Sequence, residues 1–460
     1  MRNIMNRTEY LKSLTEQIRN KNAKTLVLEE ITAHIEDQKQ AYLLDGMGED
    51  EAEEMAVKEM GNPVDTGVQL DKIHRPKTDV WMLAAMLVLT LIGIVMQSII
   101  CLQYNDLSVI QNTYHTRTIY YNLIGLLVMA IVYFADYRLL NRFIWPIYGV
   151  YLAGSVFFLH TPAFGEYYQH LRFGQAIHIL FVPLFAVFCY RFREQKGKGI
   201  LKAFGLLLFN ILFLLFSGAF TSATMLLSFM TCLITLCAAA YRGVFGGRKN
   251  LQGSILTASI IGIPLLFFGD VLLFDGRFLF LAEYQIQRIR VMLNPAAYAA
   301  QAGYQTMLVR DQLSSASLLG GGTVGKVGEL SGAWCDYVLI CLTAYFGLII
   351  AFLVIGIIAA YFLRALHISL MQSNRLGFLL GVSCSSILIL KTVVYVAMNF
   401  GIGLTVSIDM PFLTYGLYCS VVNFLFMGII LSVYRNTNLL PEPKKTPPQH
   451  SLRIERATGK

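Results

Sequence analysis

Asp336 is the residue of this 460-residue chain best placed to do chemistry. It stands in Trp334-Cys335-Asp336-Tyr337, where a charged stretch gives way to an apolar one. A carboxylate at the mouth of an apolar helix holds its proton more tightly than one in water and can serve as a general base. Asp also suits a helix N-cap, so the sequence leaves both roles open. The stretch before it, 275–335, carries Arg277, Glu283, Arg288, Arg290, Arg310, Asp311, Lys326 and Glu329. Basic groups at a membrane surface match a phosphate or diphosphate headgroup, with an ordinary solvated loop as the plainer alternative. Gly320 to Lys326 reads GGGTVGK, close to a phosphate-binding loop, but Val327 stands where Ser or Thr would hold magnesium and no strand precedes it. Flexible glycines that let backbone approach a ligand fit this stretch better.

Lys391 lies inside an apolar run, where an ammonium is costly and marks function by default; snorkelling toward an interface is the competing use. His178 reads as a polar partner inside a bundle. Asp409-Met410-Pro411-Phe412-Leu413-Thr414-Tyr415-Gly416 reads as the opening of a last span, with Pro411 in its first turn. The eight cysteines show neither metal spacing nor a disulfide framework, and read as small apolar packing residues.

These residues need elements to hold them, and the composition says which. The chain is 55% hydrophobic and 14% charged, with mean hydropathy +0.55. Soluble domains carry about 25% charged residues. Apolar runs recur, each near the roughly 20 residues that cross a bilayer as a helix. About ten spans are expected, near 80–102, 119–135, 143–160, 175–190, 200–216, 220–241, 254–274, 336–362, 376–399 and 411–434. The fold class is therefore all-α, a polytopic membrane helix bundle with a small soluble helical domain ahead of it. Arg138, Arg142, Arg191, Arg193, Lys196, Lys198, Arg242, Arg248, Lys249, Arg364 and Arg375 fall in alternate loops. That bias predicts cytoplasmic N- and C-termini and an external 275–335 loop. It also accounts for the net charge of +8 without nucleic acid. The first 75 residues are polar, so no cleaved signal peptide is expected.

Residues 8–75 read as three short helices. The first carries Leu11, Leu14 and Ile18. The second carries Leu28, Ile31 and Ile35 and ends near Gly46. The third runs from Glu49 to Met60 and stops at Gly61-Asn62-Pro63. Lys72 to Lys77 is a basic linker. The expected division is a prefix domain with linker over 1–78, a membrane domain over 79–437 and a cytoplasmic tail over 438–460.

Over roughly 80–437 the chain resembles the FtsW/RodA/SpoVE (SEDS) family of cell-wall polymerases. The residues that carry the resemblance are Tyr284-Gln285, Arg288-Ile289, Leu293-Asn294-Pro295, Gly303-Tyr304-Gln305, the Gly320 to Gly325 turn, Cys335-Asp336-Tyr337, and Pro411-Phe412 with Thr414-Tyr415-Gly416. Through Tyr10-Leu11, Glu30 with His34-Ile35, Gly46 and Met60-Gly61-Asn62-Pro63, residues 8–75 resemble the permease prefix domain of Gram-positive membrane proteins. The resemblance implies a peptidoglycan glycosyltransferase that polymerises lipid II, an undecaprenyl-diphosphate-linked substrate, at the outer face of the plasma membrane in division, elongation or sporulation. It implies Asp336 as catalytic base and Arg288, Arg290, Arg310, Lys326, Lys391, Pro411 and Tyr415 as substrate-binding residues. A class B penicillin-binding protein transpeptidase is the implied partner, and the prefix domain would bind a cytoplasmic protein. No metal ligands are expected, with a divalent cation left open.

The chain departs from the family in several places. Ala344 and Tyr345 replace paired glutamates, and Lys391 and Tyr395 replace a Gln and an Asn. Gln175-Ala176-Ile177-His178 replaces a QPSE-like stretch, and Leu417 to Ser420 replaces GGSS. Two alternatives therefore stay open. One is a catalytically idle relative acting as scaffold or envelope sensor. The other is a lipid or solute transporter built on Lys391.

Overall fold

The computed structural model describes residues 6–103, 108–160, 167–216, 222–277, 283–320, 330 and 332–437, all as helix, turn or loop. The chain divides into two units, with boundaries at Lys77–Thr78 and Arg435–Asn436.

The first unit contains α1 (Arg7–Glu16), α2 (Lys21–Leu44), α3 (Glu49–Glu59) and α4 (Pro63–Ile73). Tyr10, Leu14, Ile18, Val27, Ile35, Ala52 and Ala56 make its core, and the Tyr10 hydroxyl donates to the Met60 carbonyl at 3.0 Å. Leu28, expected on the buried face, is 40% exposed. The fourth helix is a correction to the sequence reading. Asn62-Pro63 ends α3, but it also starts α4: the Asn62 side chain accepts from the Val64 N–H at 3.0 Å, and Pro63 takes the first turn. Gly67 leaves no room for a Cβ against the Leu14 carbonyl, so α4 packs closely on α1. Asp71 accepts from the Arg19 N–H and pairs with Arg75, each at 3.0 Å.

The second unit, Thr78–Arg435, is the helix bundle. It runs α5 (Val80–Gln103), α6 (Ser108–Phe134), α7 (Arg138–Arg142), α8 (Ile144–His160), α9 (Tyr167–Arg191), α10 (Gly197–Phe216), α11 (Ser222–Tyr241) and α12 (Lys249–Phe274). It continues with α13 (Glu283–Leu293), a 3-10 turn over Pro295–Tyr298, α14 (Tyr304–Ser314), α15 (Val338–Phe346), α16 (Leu348–Leu370), α17 (Arg375–Asn399) and α18 (Leu417–Arg435). Among the described residues nine helices are long and apolar enough to cross a membrane, and α8 adds a shorter apolar one. The protein is a multi-pass membrane protein. The bundle has an inside and a rim. α9 is 89% buried over its apolar window and α12 only 17%, with α11, α17 and α18 inner and α5, α6, α10 and α16 outer. Outer helices turn leucine, valine and phenylalanine outward, as lipid contact requires. Gly125 lies under the Phe424 ring and Gly428 against the Met129 backbone, so α6 and α18 cross closely.

Two expectations need correcting. The apolar run 336–362 is not one helix: Gly347, at φ +88° and ψ 169°, separates α15 from α16. Residues 317–320 fold into that break, where the Gly320 N–H donates to the Phe346 carbonyl at 3.1 Å and the Leu348 N–H to the Ser317 carbonyl at 3.1 Å. Residues 411–416 do not open the last helix. They belong to an irregular segment, 400–416, in which Phe412 has φ +71°, and α18 starts at Leu417. The segment 275–335 also has helices of its own, α13 and α14. The link between α10 and α11, expected as a tight hairpin at Ser217-Gly218-Ala219, lies outside the described residues.

Candidate functional site

Asp336 sits at the N-terminus of α15, and the sequence left open whether its carboxylate would cap that helix. It does not serve as the N-cap: that position is Tyr337, without a side-chain cap bond. The first N–H groups of a helix have no partner within it. Here α17 supplies them from across the bundle. The Val338 N–H donates to the Tyr395 hydroxyl at 2.9 Å, and the Ile340 N–H to Asn399 Oδ1 at 3.1 Å. The same two side chains also hold the carbonyls just before the helix. The Tyr395 hydroxyl donates to the Cys335 carbonyl at 3.2 Å, and Asn399 Nδ2 to the Asp336 carbonyl at 2.9 Å. The Asp336 N–H closes the turn onto the Gly332 carbonyl at 2.8 Å. Its backbone is thus clamped and its half-buried carboxylate faces Ser407, whose hydroxyl lies 3.3 Å from Oδ1 and 3.2 Å from Oδ2.

Ser407 belongs to the irregular segment 400–416, which forms the other wall. Gln175 of α9 donates to the Ser407 carbonyl at 2.8 Å. Gln97 of α5 donates to the carbonyls of Trp334 and Leu413, both at 2.9 Å, and so ties the Asp336 turn to this segment. Tyr415 completes the join: its N–H donates to the Trp334 carbonyl, and its own carbonyl accepts from the Cys335 thiol, each at 3.3 Å. α5 can pass over the segment because Gly93 has no Cβ to meet the Phe412 carbonyl.

The residues expected to bind substrate divide into three groups. Tyr415 meets the turn that carries Asp336, and buried Pro411 lies on the same irregular segment as Tyr415. Arg310, on α14, joins them through the segment: its Nε donates to the Gly401 carbonyl at 3.0 Å, and Thr306 one turn earlier meets Thr405 at 2.9 Å. Arg288 and Arg290 lie apart on α13, which packs through Ile286 and Ile289 on Val271 of α12. Arg290 pairs with Asp275, which raises its already high pKa, whereas Arg288 is exposed. Lys326 lies outside the described residues.

Lys391 is a case by itself. Its ammonium is 2.6 Å from Asp409 Oδ2 and 2.9 Å from Asn423 Oδ1, and Asn423 Nδ2 returns to Asp409 Oδ2 at 2.8 Å. Both ions are almost fully buried, with side chains 1% and 3% exposed. His178 is a buried polar partner, with Nδ1 3.3 Å from Thr224 Oγ1. Among the described residues no three His, Cys, Asp or Glu side chains gather as a metal site would need. The sequence reading passed over Gln97, Asn399, Ser407 and Asn423. Three of them are amide side chains on apolar helices, which is itself a signal of an internal task.

Fold and site together define a class: an all-α, multi-pass membrane protein that presents one clamped carboxylate where an inner helix meets an irregular membrane-end segment. The sequence model of the FTSW_RODA_SPOVE family, described as "Cell cycle protein", matches residues 79–439, and the chain belongs to that family. An FtsW relative from Mesostigma viride is 28% identical over 160 residues, covering 34% of this chain and 39% of its own length. The chain thus spans about two fifths of that relative. "Peptidoglycan glycosyltransferase MrdB" of Escherichia coli (strain K12) is 23% identical over 167 residues, covering 35% of this chain and 45% of its own. "Probable peptidoglycan glycosyltransferase FtsW" of Geobacter sp. (strain M18) is 22% identical over 335 residues, covering 68% and 84%. A solved chain from work on a peptidoglycan synthase complex that coordinates polymerization and crosslinking superposes with TM-score 0.60 at 16% identity. The superposition covers 78% of this chain and 98% of that one, and it shows a shared fold.

Proposed function

We propose that this protein is a peptidoglycan glycosyltransferase that polymerises lipid II at the outer face of the plasma membrane, with Asp336 as general base. The observation that carries the reading is the relief of Asp336 from N-cap duty. Tyr395 and Asn399 satisfy the helix N–H groups that an N-terminal aspartate would otherwise serve. In the step proposed, Asp336 takes the proton of the acceptor sugar hydroxyl. The hydroxyl oxygen then bonds to the anomeric carbon of the growing chain. The bond from that carbon to the undecaprenyl diphosphate breaks, and the diphosphate leaves with the electron pair. Negative charge grows on the departing group, where cationic side chains are worth most. Arg310, held against the segment that carries Ser407, is the described cation best supported for that task. Arg288 suits the incoming headgroup, and Lys326 keeps the role that the family resemblance implies.

The outward orientation rests on basic residues. Arg191, Arg193, Lys196, Arg242 and Arg375 cluster at the bundle end away from Asp336. There the Glu194 N–H donates to the Val244 carbonyl at 3.0 Å, and Arg375 pairs with Glu194 at 3.2 Å. That end would be cytoplasmic, with both termini. A class B penicillin-binding protein is the proposed partner for crosslinking, and the prefix domain is proposed to bind a cytoplasmic protein. The test uses the purified full-length protein, with partner transpeptidase and lipid II, as wild type and Asp336→Asn. Glycan chains from the wild type and at least 100-fold fewer from the variant are expected. Equal yields would remove Asp336 as the base. No chains from either protein would favour the idle relative that the lost family residues leave open.

A further inference from the structure

The closed triad of Lys391, Asp409 and Asn423 has no part in the step proposed above, although the family resemblance implies Lys391 as a substrate-binding residue. Its geometry points to a task other than holding substrate. Lys391, Tyr395 and Asn399 follow one another at intervals of four, so they form one stripe along α17. The two later members grip the turn that presents Asp336. The first grips Asp409, two residues beyond the Ser407 hydroxyl that meets the Asp336 carboxylate. Asn423 adds α18 to the same knot. The segment it anchors is irregular, with Phe412 at a positive φ, so helical hydrogen bonding does not set its path. The tether is ionic and almost fully buried, and removing Lys391 takes the countercharge from a buried Asp409.

We infer that Lys391 is a positioning residue: through Asp409 it fixes the segment 407–415 against α17 and holds Ser407 on the Asp336 carboxylate. The inference rests on the glycosyltransferase reading for its kinetic test, but it has a readout that does not depend on activity. Cys335 is 8% exposed and its thiol is held on the Tyr415 carbonyl, within the tethered segment. Its reactivity therefore reports whether that segment is in place.

The experiment compares full-length wild type, Lys391→Met and the pair replacement Lys391→Met/Asp409→Leu in detergent micelles. Lys391→Met is expected to lower kcat at least 30-fold, with KM for lipid II within twofold, and to open Cys335 to a polar maleimide. A Cys335→Ser background identifies the labelled site. The pair replacement, which leaves no lone charge, is expected to recover at least tenfold of the lost turnover and to close Cys335 again. If Lys391→Met fails to fold, Lys391→Gln is read for the same quantities. A tenfold rise in KM with kcat kept would make Lys391 a substrate ligand and overturn the inference. So would a single variant that labels and turns over like the wild type. Absence of polymerisation by the wild type would sink the glycosyltransferase reading alone, because the labelling pattern still decides the positioning role.

Discussion

Replacing Asn399 with leucine tests the clamp on Asp336 directly. The leucine occupies the space, so water cannot stand in for the amide. Two backbone groups lose their partners: the Ile340 N–H, now 3.1 Å from Oδ1, and the Asp336 carbonyl, now 2.9 Å from Nδ2. Asn399 is 1% exposed, so neither group gains solvent in exchange. An orphaned buried backbone group costs about 1–3 kcal/mol, which gives roughly 2–6 kcal/mol for the two, concentrated on the turn and the first turn of α15. At the lower limit, about 2 kcal/mol corresponds to a roughly 30-fold change in a local opening equilibrium. Hydrogen exchange at the Ile340 amide should therefore quicken by about 30-fold or more. A misplacement of about 1 Å at a reacting group costs about 100-fold in rate, so lipid II turnover should fall by that order. Thr392→Val is the control: that hydroxyl bonds the Leu388 carbonyl of its own helix at 2.8 Å, and its loss should leave both readouts unchanged. Wild-type exchange at Ile340 in Asn399→Leu would refute the argument that α17 caps α15 in place of Asp336.

Two further outcomes follow from other parts of the molecule. Gly347→Ala should destabilise the bundle by more than about 2 kcal/mol, because its backbone region is essentially closed to residues with a Cβ. A Cβ there would also stand 2.6 Å from the Leu318 carbonyl oxygen; thermal unfolding of the detergent-solubilised protein measures the loss, and an unchanged midpoint would contradict the break between α15 and α16. Asp71 gives a pH dependence to the prefix domain: the Arg19 N–H, foremost, and the Arg75 guanidinium hold its carboxyl below the usual value, against the opposing effect of burial. A depressed folded-state pKa means that its contribution is complete above the unfolded value of about 4 and is lost as pH falls through the folded value. Exchange at α4 amides should quicken in acid below about pH 4 in the wild type and already be fast at neutral pH in Asp71→Asn; identical profiles would dismiss the effect.

The spans were legible because a bilayer demands long apolar runs, and α17 falls within a residue of where the composition put it. The errors arose where a local signal had a second meaning. Asn62-Pro63 has the composition of a stop, yet the same pair caps and begins α4. Asp409 and Pro411 have the chemistry of a helix start, but Asp409 is bound to Lys391 and Phe412 lies at positive φ, so α18 begins later. Nothing apolar marks the break at Gly347, since the run around it is hydrophobic throughout. The break depends on residues 317–320 arriving from elsewhere in the fold.

For the site, residue type identified Asp336 but could not choose between capping and catalysis, because the deciding groups lie about 60 positions further along the chain. Tyr395 and Asn399 reach Val338 and Ile340 across separations of 57 and 59 residues. Lys391 shows the same limit from the other side. Its type announced an internal charge, but whether that charge meets a ligand or a carboxylate depends on where the irregular segment folds. The two questions share one physical answer. Lys391, Tyr395 and Asn399 form one buried stripe of α17, and burial obliges each of these groups to find a partner. Their partners include the two segments that meet at Asp336. An inner helix that must satisfy its own polar atoms thereby fixes a carboxylate that it never touches with a charge.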